Sequence, residues 1–300
     1  SRTGPHLVPT SSQEEADVRR RFDTATLVVA LPFLAFVGLF LFLPVIGLAI
    51  KAFTPGGSFG FSAMQRAIEG SYRTAFINSL ALAATCAILG GLLGLLLALS
   101  LRSLQRPKWL RSTVDSWSAV AAQLGGIPLA FAFIAAIGTQ GVITKVLGLA
   151  GFDLPDSGFS LSEFWGLVLV YLYFQIPLMF LVMMPAVGGL KNTWAEAASI
   201  MGASPGRYWR SVALPLLVPS FLGGLLLLFV NSFAAYATAY VLNPGAQIVP
   251  LQIRFLLQGN VITGEQDLAY AIVLWTISLL LASLLLIAIL QRRTAKWAAT

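Results

Sequence analysis

The chain has 300 residues, of which 57% are hydrophobic and 10% charged, with a formal net charge of +7. A soluble domain of this length carries roughly a quarter charged residues. The deficit, with a mean hydropathy of +0.83, excludes an ordinary water-soluble fold and sets most side chains against lipid or against helices in lipid. The basic residues form no stripe interleaved with aromatics on a polar domain, so nucleic acid is not indicated as a partner.

Residues 1–25 read as a polar cytoplasmic tail. His6 stands there without metal-ligand spacing, and Ser12 to Asp23 suit either a short interfacial helix or a disordered tail. Arg19, Arg20 and Arg21 resemble the start of a signal peptide, but the apolar run that follows is too long and lacks a small-residue cleavage site, so a retained first helix is expected. Six windows have the roughly 20 apolar residues that a crossing needs. They lie near 26–50, 75–100, 117–139, 164–189, 216–241 and 268–290 and make one transmembrane domain over 26–290; residues 291–300 form a second tail. None has Asp, Glu, Lys or Arg in its central portion, so each can enter a bilayer without burying a charge.

Gly90, Gly91 and Gly94 give the second window a small-residue face that admits a close neighbour. Pro128, Pro177, Pro185 and Pro219 predict kinked or locally unwound helices in the third, fourth and fifth; such sites suit a path that opens, and prolines are also common in membrane helices generally. Cys86, the one cysteine, reads as buried filler. With the N-terminus inside, 14 Lys and Arg fall on the cytoplasmic side and five outside, while acidic residues divide evenly. Retention of basic residues on the cytoplasmic side then puts both termini in the cytoplasm.

The connection 190–215 is far longer than two neighbouring helices need, since connections in bundles take about 2–8 residues, and this excess suggests a bound partner. Asn192 or Thr193 can cap a short helix, with Glu196 in its first turn. Ala197, Ala198 and Gly202 keep that helix slim, Met201 offers an apolar knob, and Pro205 with Gly206 ends it. Tyr208 and Trp209 then sit as interfacial aromatics before Leu214 and Pro215.

Glu196-Ala197-Ala198, Gly202 six positions after the Glu, and Val212 with Leu214-Pro215 beyond it resemble the coupling loop of binding-protein-dependent ABC importer permeases. Val212 stands where Ile is usual. The resemblance implies an all-α polytopic fold of the type I importer permease, with six transmembrane helices, in the bacterial inner membrane. It implies docking of Glu196, Ala197, Ala198, Met201, Gly202, Leu214 and Pro215 to ATP-binding subunits, two copies, which hold ATP and Mg. It also implies a second permease chain, identical or different, and an extracytoplasmic solute-binding protein. No phosphate-binding loop ending in Gly-Lys-Ser or Gly-Lys-Thr occurs in this chain, so no cofactor is expected in it.

Asn78-Ser79-Leu80, the stretch Asn231 to Thr238, and Val249-Pro250-Leu251 look most like the branch that includes polyamine, aminoalkylphosphonate, thiamine and ferric-iron permeases. Ala235 stands where polyamine permeases usually carry an acidic residue. Gln123, Tyr171, Gln175, Asn231, Ser232, Tyr236 and Tyr240 are the candidates to line a neutral polar path; each could equally serve interhelical hydrogen bonding. A small polar organic solute of the polyamine or phosphonate kind is expected, with a sugar or polyol as the alternative. A membrane enzyme is disfavoured because no paired carboxylates, His cluster or nucleophile with a base occurs at membrane depth. An ion-coupled secondary transporter normally keeps an ionisable group there. Glu265 and Asp267 read as a solvated pair in the last outer loop.

Overall fold

Backbone groups in lipid must find partners within the protein, and a helix supplies them locally. The computed structural model describes residues 30–103, 108–152, 154, 158–258 and 265–298, and among these it is helical without strands. The tail 1–25, with His6 and Ser12–Asp23, lies outside the described residues, as do the side chains beyond Gln291. In chain order the helices are α1 (Ala30–Phe53), α2 (Ser62–Arg66), α3 (Gly70–Ser103), α4 (Lys108–Ala121), α5 (Gly126–Ile137) and α6 (Val142–Leu149). They continue with α7 (Phe164–Gly188), α8 (Asn192–Ile200), α9 (Pro205–Ala234), α10 (Ala237–Leu242), α11 (Val249–Gln258) and α12 (Gln266–Ala298).

Six stretches are long and apolar enough to cross a membrane, and the first, second, fourth and sixth follow the expected windows closely. Two depart from expectation. The third crossing, expected as one kinked helix over 117–139, begins only at Gly126 and runs to Leu149 through α5 and α6; α4 ends before it, at Ala121, and is separated from α5 at 122–125. Trp117 of α4 and Phe133 of α5 both meet the Tyr173 ring edge-on, at 6.2 and 5.8 Å between centroids. α4 and α5 therefore flank the middle of α7, and α6 completes the crossing after the Gly138–Gly141 turn. The fifth crossing, expected over 216–241, begins at Pro205 and stops at Ala234; its last residues form the separate α10.

Pro177, Pro185 and Pro219 lie inside unbroken helices, so of the expected kinking or local unwinding, the unwinding does not occur there. Pro128 follows a break, in the first turn of α5, where its missing N–H leaves no helical bond unmade. Two π-helical segments, Gly38–Phe42 and Trp209–Ala213, lie just before Pro44 and Pro215. The wider turn draws the carbonyl four residues back away from a proline ring that cannot donate to it.

The bundle is organised around α3, α7 and α9. A Cβ added at Gly90 would lie 2.8 Å from Gln175 Cβ, at Gly91 2.5 Å from Leu225, and at Gly94 2.5 Å from Met179 Cβ. The glycine face is thus the seam on which α7 and α9 seat. Leu82, Cys86, Tyr171 and Phe174 fill one end of the interior, and Met179, Phe180, Met183 and Leu217 the other. A third cluster, including Ala67, Ala75, Leu268 and Ile272, holds α12 against α2 and α3. α1 packs on α12 and buries only Ala52.

Polar staples close both ends. At the end away from α8, here the distal face, Arg66 pairs with Glu265 at 2.8 Å and the Gly56 N–H donates to Asp267 Oδ2 at 3.0 Å. The expected solvated pair is therefore committed to tying the segment after α1 to α12. Asn78 Nδ2 donates to the Gln247 carbonyl at 3.0 Å, and Ser79 Oγ accepts from the Val249 N–H at 2.8 Å. Two sequence patterns that lie 170 residues apart are thus one joint between α3 and α11.

Gly94→Leu forces a side chain into Met179 and the Ile176 carbonyl, an overpacking that costs about 1–3 kcal/mol. The expected outcome is a lowered thermal unfolding midpoint of the purified protein in nanodiscs. Gly148→Ala, where a Cβ meets nothing within 4 Å, is expected to leave the midpoint unchanged.

Candidate functional site

Two breaks at the ends of membrane-crossing helices meet in space. At the start of the third crossing, Gly125 is extended and Gly126 has φ +76°, a left-handed conformation that costs other residues about 1–2 kcal/mol. In the fifth, Ala235 leaves the helix with ψ 99° before α10 starts. Thr238 joins the two: its Oγ1 accepts from the Gly126 N–H at 2.9 Å and donates to the Gly126 carbonyl at 3.3 Å. Between the breaks lies a cavity of about 260 Å³ whose walls include Gln123, Phe174, Asn231, Tyr236 and Thr238.

The seven path candidates separate into two groups. Gln123, Asn231 and Tyr236 line this cavity. Tyr171, Gln175 and Ser232 are enclosed by protein. The Tyr171 hydroxyl donates to the Ala235 carbonyl at 2.7 Å, the group that the break in α9 leaves without a helical partner. Gln175 Nε2 donates to the Leu228 carbonyl at 2.7 Å and to Ser232 Oγ. Tyr240 stacks on Tyr236, with centroids 5.6 Å apart and planes 15° apart, and is capped by the Arg254 guanidinium 3.7 Å from its ring centre.

At the opposite end of the bundle, α8 stands on the connection 190–215. Its N-cap is Lys191, not Asn192 or Thr193. Asn192 Oδ1 instead accepts from Arg102 Nη2 at 3.1 Å, and the same nitrogen donates to the Leu190 carbonyl at 2.6 Å. The end of α3 thereby clamps the start of α8. Glu196 is past the first turn, so its carboxylate is not a cap for the helix dipole. Ala198 is buried in the same cluster as Met179 and Met183, while Glu196 and Ala197 are exposed.

The end of α8 departs from expectation. It stops at Gly202, not at Pro205 and Gly206. Gly202 has φ +74°, its N–H donates to the Ser199 carbonyl at 3.0 Å, and the Ala203 N–H donates to the Ala198 carbonyl at 2.9 Å. This pairing satisfies two of the last carbonyls and needs a left-handed residue at its corner. A Cβ at Gly202 would meet nothing within 4 Å, so conformation, not slimness, requires the glycine within this chain. Ser204 then caps the helix that Pro205 opens. The turn leaves Ile200 86% and Met201 79% exposed at the tip. Tyr208 is buried in the core beneath α8, not interfacial. Leu214 and Pro215 lie exposed where α9 resumes after its π-helical segment.

Sequence reasoning missed Arg102, Thr238, Gly126 and Arg254 as structural partners of these sites. Gly125-Gly126 was a visible signal for a break; nothing in the run around Thr238 marks it as the residue that bridges two helices.

A family model described as binding-protein-dependent transport system inner membrane component matches residues 90–296. A Salmonella typhimurium protein with the provisional name 2-aminoethylphosphonate transport system permease protein PhnU is 28% identical over 236 residues, 72% of this chain and 79% of its own length. The molybdenum transport system permease protein ModB of Mycobacterium tuberculosis is 30% identical over 189 residues, 61% of this chain and 68% of its own. A solved bacterial ABC transporter involved in alginate import superposes with a TM-score of 0.72 at 19% identity, covering 94% of this chain and 99% of that one. The alginate transporter in complex with a pentasaccharide-bound periplasmic protein gives the same score at 20% identity, over 93% of this chain and 96% of that one. At these identities the likeness concerns the fold.

Two expected outcomes follow from the geometry. Thr238→Val keeps the shape but leaves the Gly126 amide without its partner, at a cost of about 1–3 kcal/mol; hydrogen exchange at Gly126 and across 236–239 accelerates while exchange in the middle of α3 does not change. Gly202→Ala speeds exchange of the Gly202 and Ala203 amides and costs about 1–2 kcal/mol, whereas Gly202→Asn, which tolerates the left-handed region, restores much of the protection.

Proposed function

We infer the working of this chain from one premise: it belongs to the family of binding-protein-dependent transport system inner membrane components. It is an inner-membrane permease subunit of an ABC importer. Membership removes the ion-coupled secondary transporter from consideration, and the working assembly includes a solute-binding protein and ATP-hydrolysing partners.

The observation that carries the coupling mechanism is the apolar tip of α8. Ile200 and Met201 are the most exposed large apolar side chains of α8 and its end, held outward while Ala198 seats α8 on the core. We propose that this tip docks in a groove of an ATP-binding subunit, with Glu196 and Ala197 on its flank and Leu214 and Pro215 at its base. ATP and Mg belong to that partner; this chain contributes no phosphate-binding loop. The face with α8 is then cytoplasmic, and both termini with it. Support comes from Arg102, Arg111, Lys191, Arg207 and Arg210, which lie toward that end, as retention of basic residues requires.

Two permease chains, each offering one α8 tip to one of two ATP-binding subunits, make the proposed assembly. Closure of the ATP-binding subunits draws the tips together, and α7 and α9, anchored to α8 at its two ends, carry that movement to the breaks. The solute passes beside Gln123, Asn231 and Tyr236. A small polar organic solute of the phosphonate or polyamine kind fits their neutral donors and acceptors; a sugar or polyol is the second reading. Tyr171, Gln175 and Ser232 support the path from behind.

The test is co-purification and coupling in nanodiscs. Met201→Glu with Ile200→Glu is expected to reduce recovery of the ATP-binding subunit at least tenfold, because two charges enter an apolar contact. Glu196→Lys is expected to leave recovery intact and to lower binding-protein-stimulated ATP hydrolysis and uptake at least tenfold. Undiminished recovery and coupling in both variants would remove α8 as the docking element.

A further inference from the structure

Arg254 on α11 is a cation in an unusual position. Its guanidinium lies 3.7 Å from the Tyr240 ring centre and 5.9 Å from that of Tyr236. Its Nε donates to Gln258 Oε1 at 2.7 Å. Among the described residues no carboxylate stands within ion-pair distance of it, whereas Arg66 at the same face is neutralised by Glu265. Stacking on a ring uses the face of a guanidinium and leaves its in-plane donors available. With Nε engaged, the terminal Nη groups remain as a fork with the geometry of an oxyanion receptor.

This arginine lies close to two hollows. Arg254 lines a hollow of about 320 Å³ on the distal face with Pro244, Leu251, Phe255 and Gln258. Tyr236, the ring next to its platform, lines the cavity between the helix breaks. Arg254 and the stacked tyrosines thus form a line of contacts from the distal hollow to the cavity that Gln123 and Asn231 line. The cation is half-buried, so its field is less screened than that of a surface arginine. A polyamine meets repulsion there, with no carboxylate among the described residues in ion-pair distance to offset it; an oxyanion meets a pre-oriented partner.

We propose that the transported solute carries an anionic group, a phosphonate, phosphate or carboxylate, and that Arg254 is the residue that selects it at the distal entrance. This deepens the importer reading and rests on it. It narrows the solute by excluding polycations and uncharged sugars and polyols.

The experiment uses the full permease–ATPase assembly in nanodiscs without binding protein. Saturation-transfer NMR measures binding of 2-aminoethylphosphonate, glycerol 3-phosphate and succinate against putrescine and sorbitol. The expected result is at least tenfold tighter binding of one or more anionic probes than of putrescine or sorbitol. Arg254→Gln abolishes that preference, while Arg254→Lys, which keeps the charge and loses the fork, retains part of it. A purely structural Arg254 would lower all binding alike in the Gln variant and leave the preference in place, which overturns the proposal. Putrescine or sorbitol binding as tightly as every anionic probe overturns it, as does saturable binding of none of the five. In the same nanodiscs, stimulation of ATP hydrolysis by the binding protein reports on the importer reading separately. A coupled wild-type assembly without anion preference strikes the role of Arg254 alone; a wild-type assembly that never couples strikes both.

Discussion

Hydrogen bonding of the backbone in lipid constrains everything else in this structure. Hydrocarbon supplies no partner for a free N–H or C=O, so a crossing helix can be interrupted only where protein groups or an aqueous cavity take over. This chain breaks its helices at the start of the third crossing and at the end of the fifth, and satisfies both breaks at one place. Thr238 serves the Gly126 N–H and carbonyl, and Tyr171 serves the Ala235 carbonyl. The two breaks are joined directly, because Thr238 belongs to the helix that follows one break and Gly126 opens the helix that follows the other.

The same constraint explains how side chains without solute contact come to matter. Gln175 and Ser232 bind the last turns of α9 to α7 just before the break, and the glycines of α3 let α7 and α9 approach closely enough for those bonds to form. Enlarging a glycine on that seam therefore acts on the cavity through packing. The prolines, by contrast, do not unwind the helices in which they lie. Neighbouring turns widen ahead of Pro44 and Pro215, and α7 and α9 continue past their internal prolines.

The two sites lie on common mechanical elements. α9 runs from the turn beyond α8 to the break at Ala235, and α7 runs from the distal half of the bundle to the clamp that Arg102 makes at Leu190 and Asn192. A helix is stiff along its axis, so a displacement imposed on α8 arrives at the far end of both. The π-helical segment Trp209–Ala213 is the compliant piece in α9, since its hydrogen-bond register is already relaxed.

The sequence by itself determined the class of the protein, because membrane insertion is a property of composition: runs free of charge and about 20 residues long must cross. It also determined the family, since Glu196-Ala197-Ala198, Gly202 and Leu214-Pro215 recur at a fixed spacing along the chain. Helix periodicity cannot report where a crossing stops being helical when the cause lies on another helix. Ala235 and Tyr236 are unremarkable in sequence, and their break exists because Tyr171 and Thr238 accept its consequences. Likewise Gly202 reads as a small residue until its positive φ shows it to be a corner. Gln175, polar in an apolar run, looks like a solute contact until the structure encloses it. Arg254 reads as one basic loop residue until two tyrosines, and the lack of a carboxylate partner among the described residues, single it out. Each of these was decided by contacts between segments distant in sequence, which only the tertiary structure brings together.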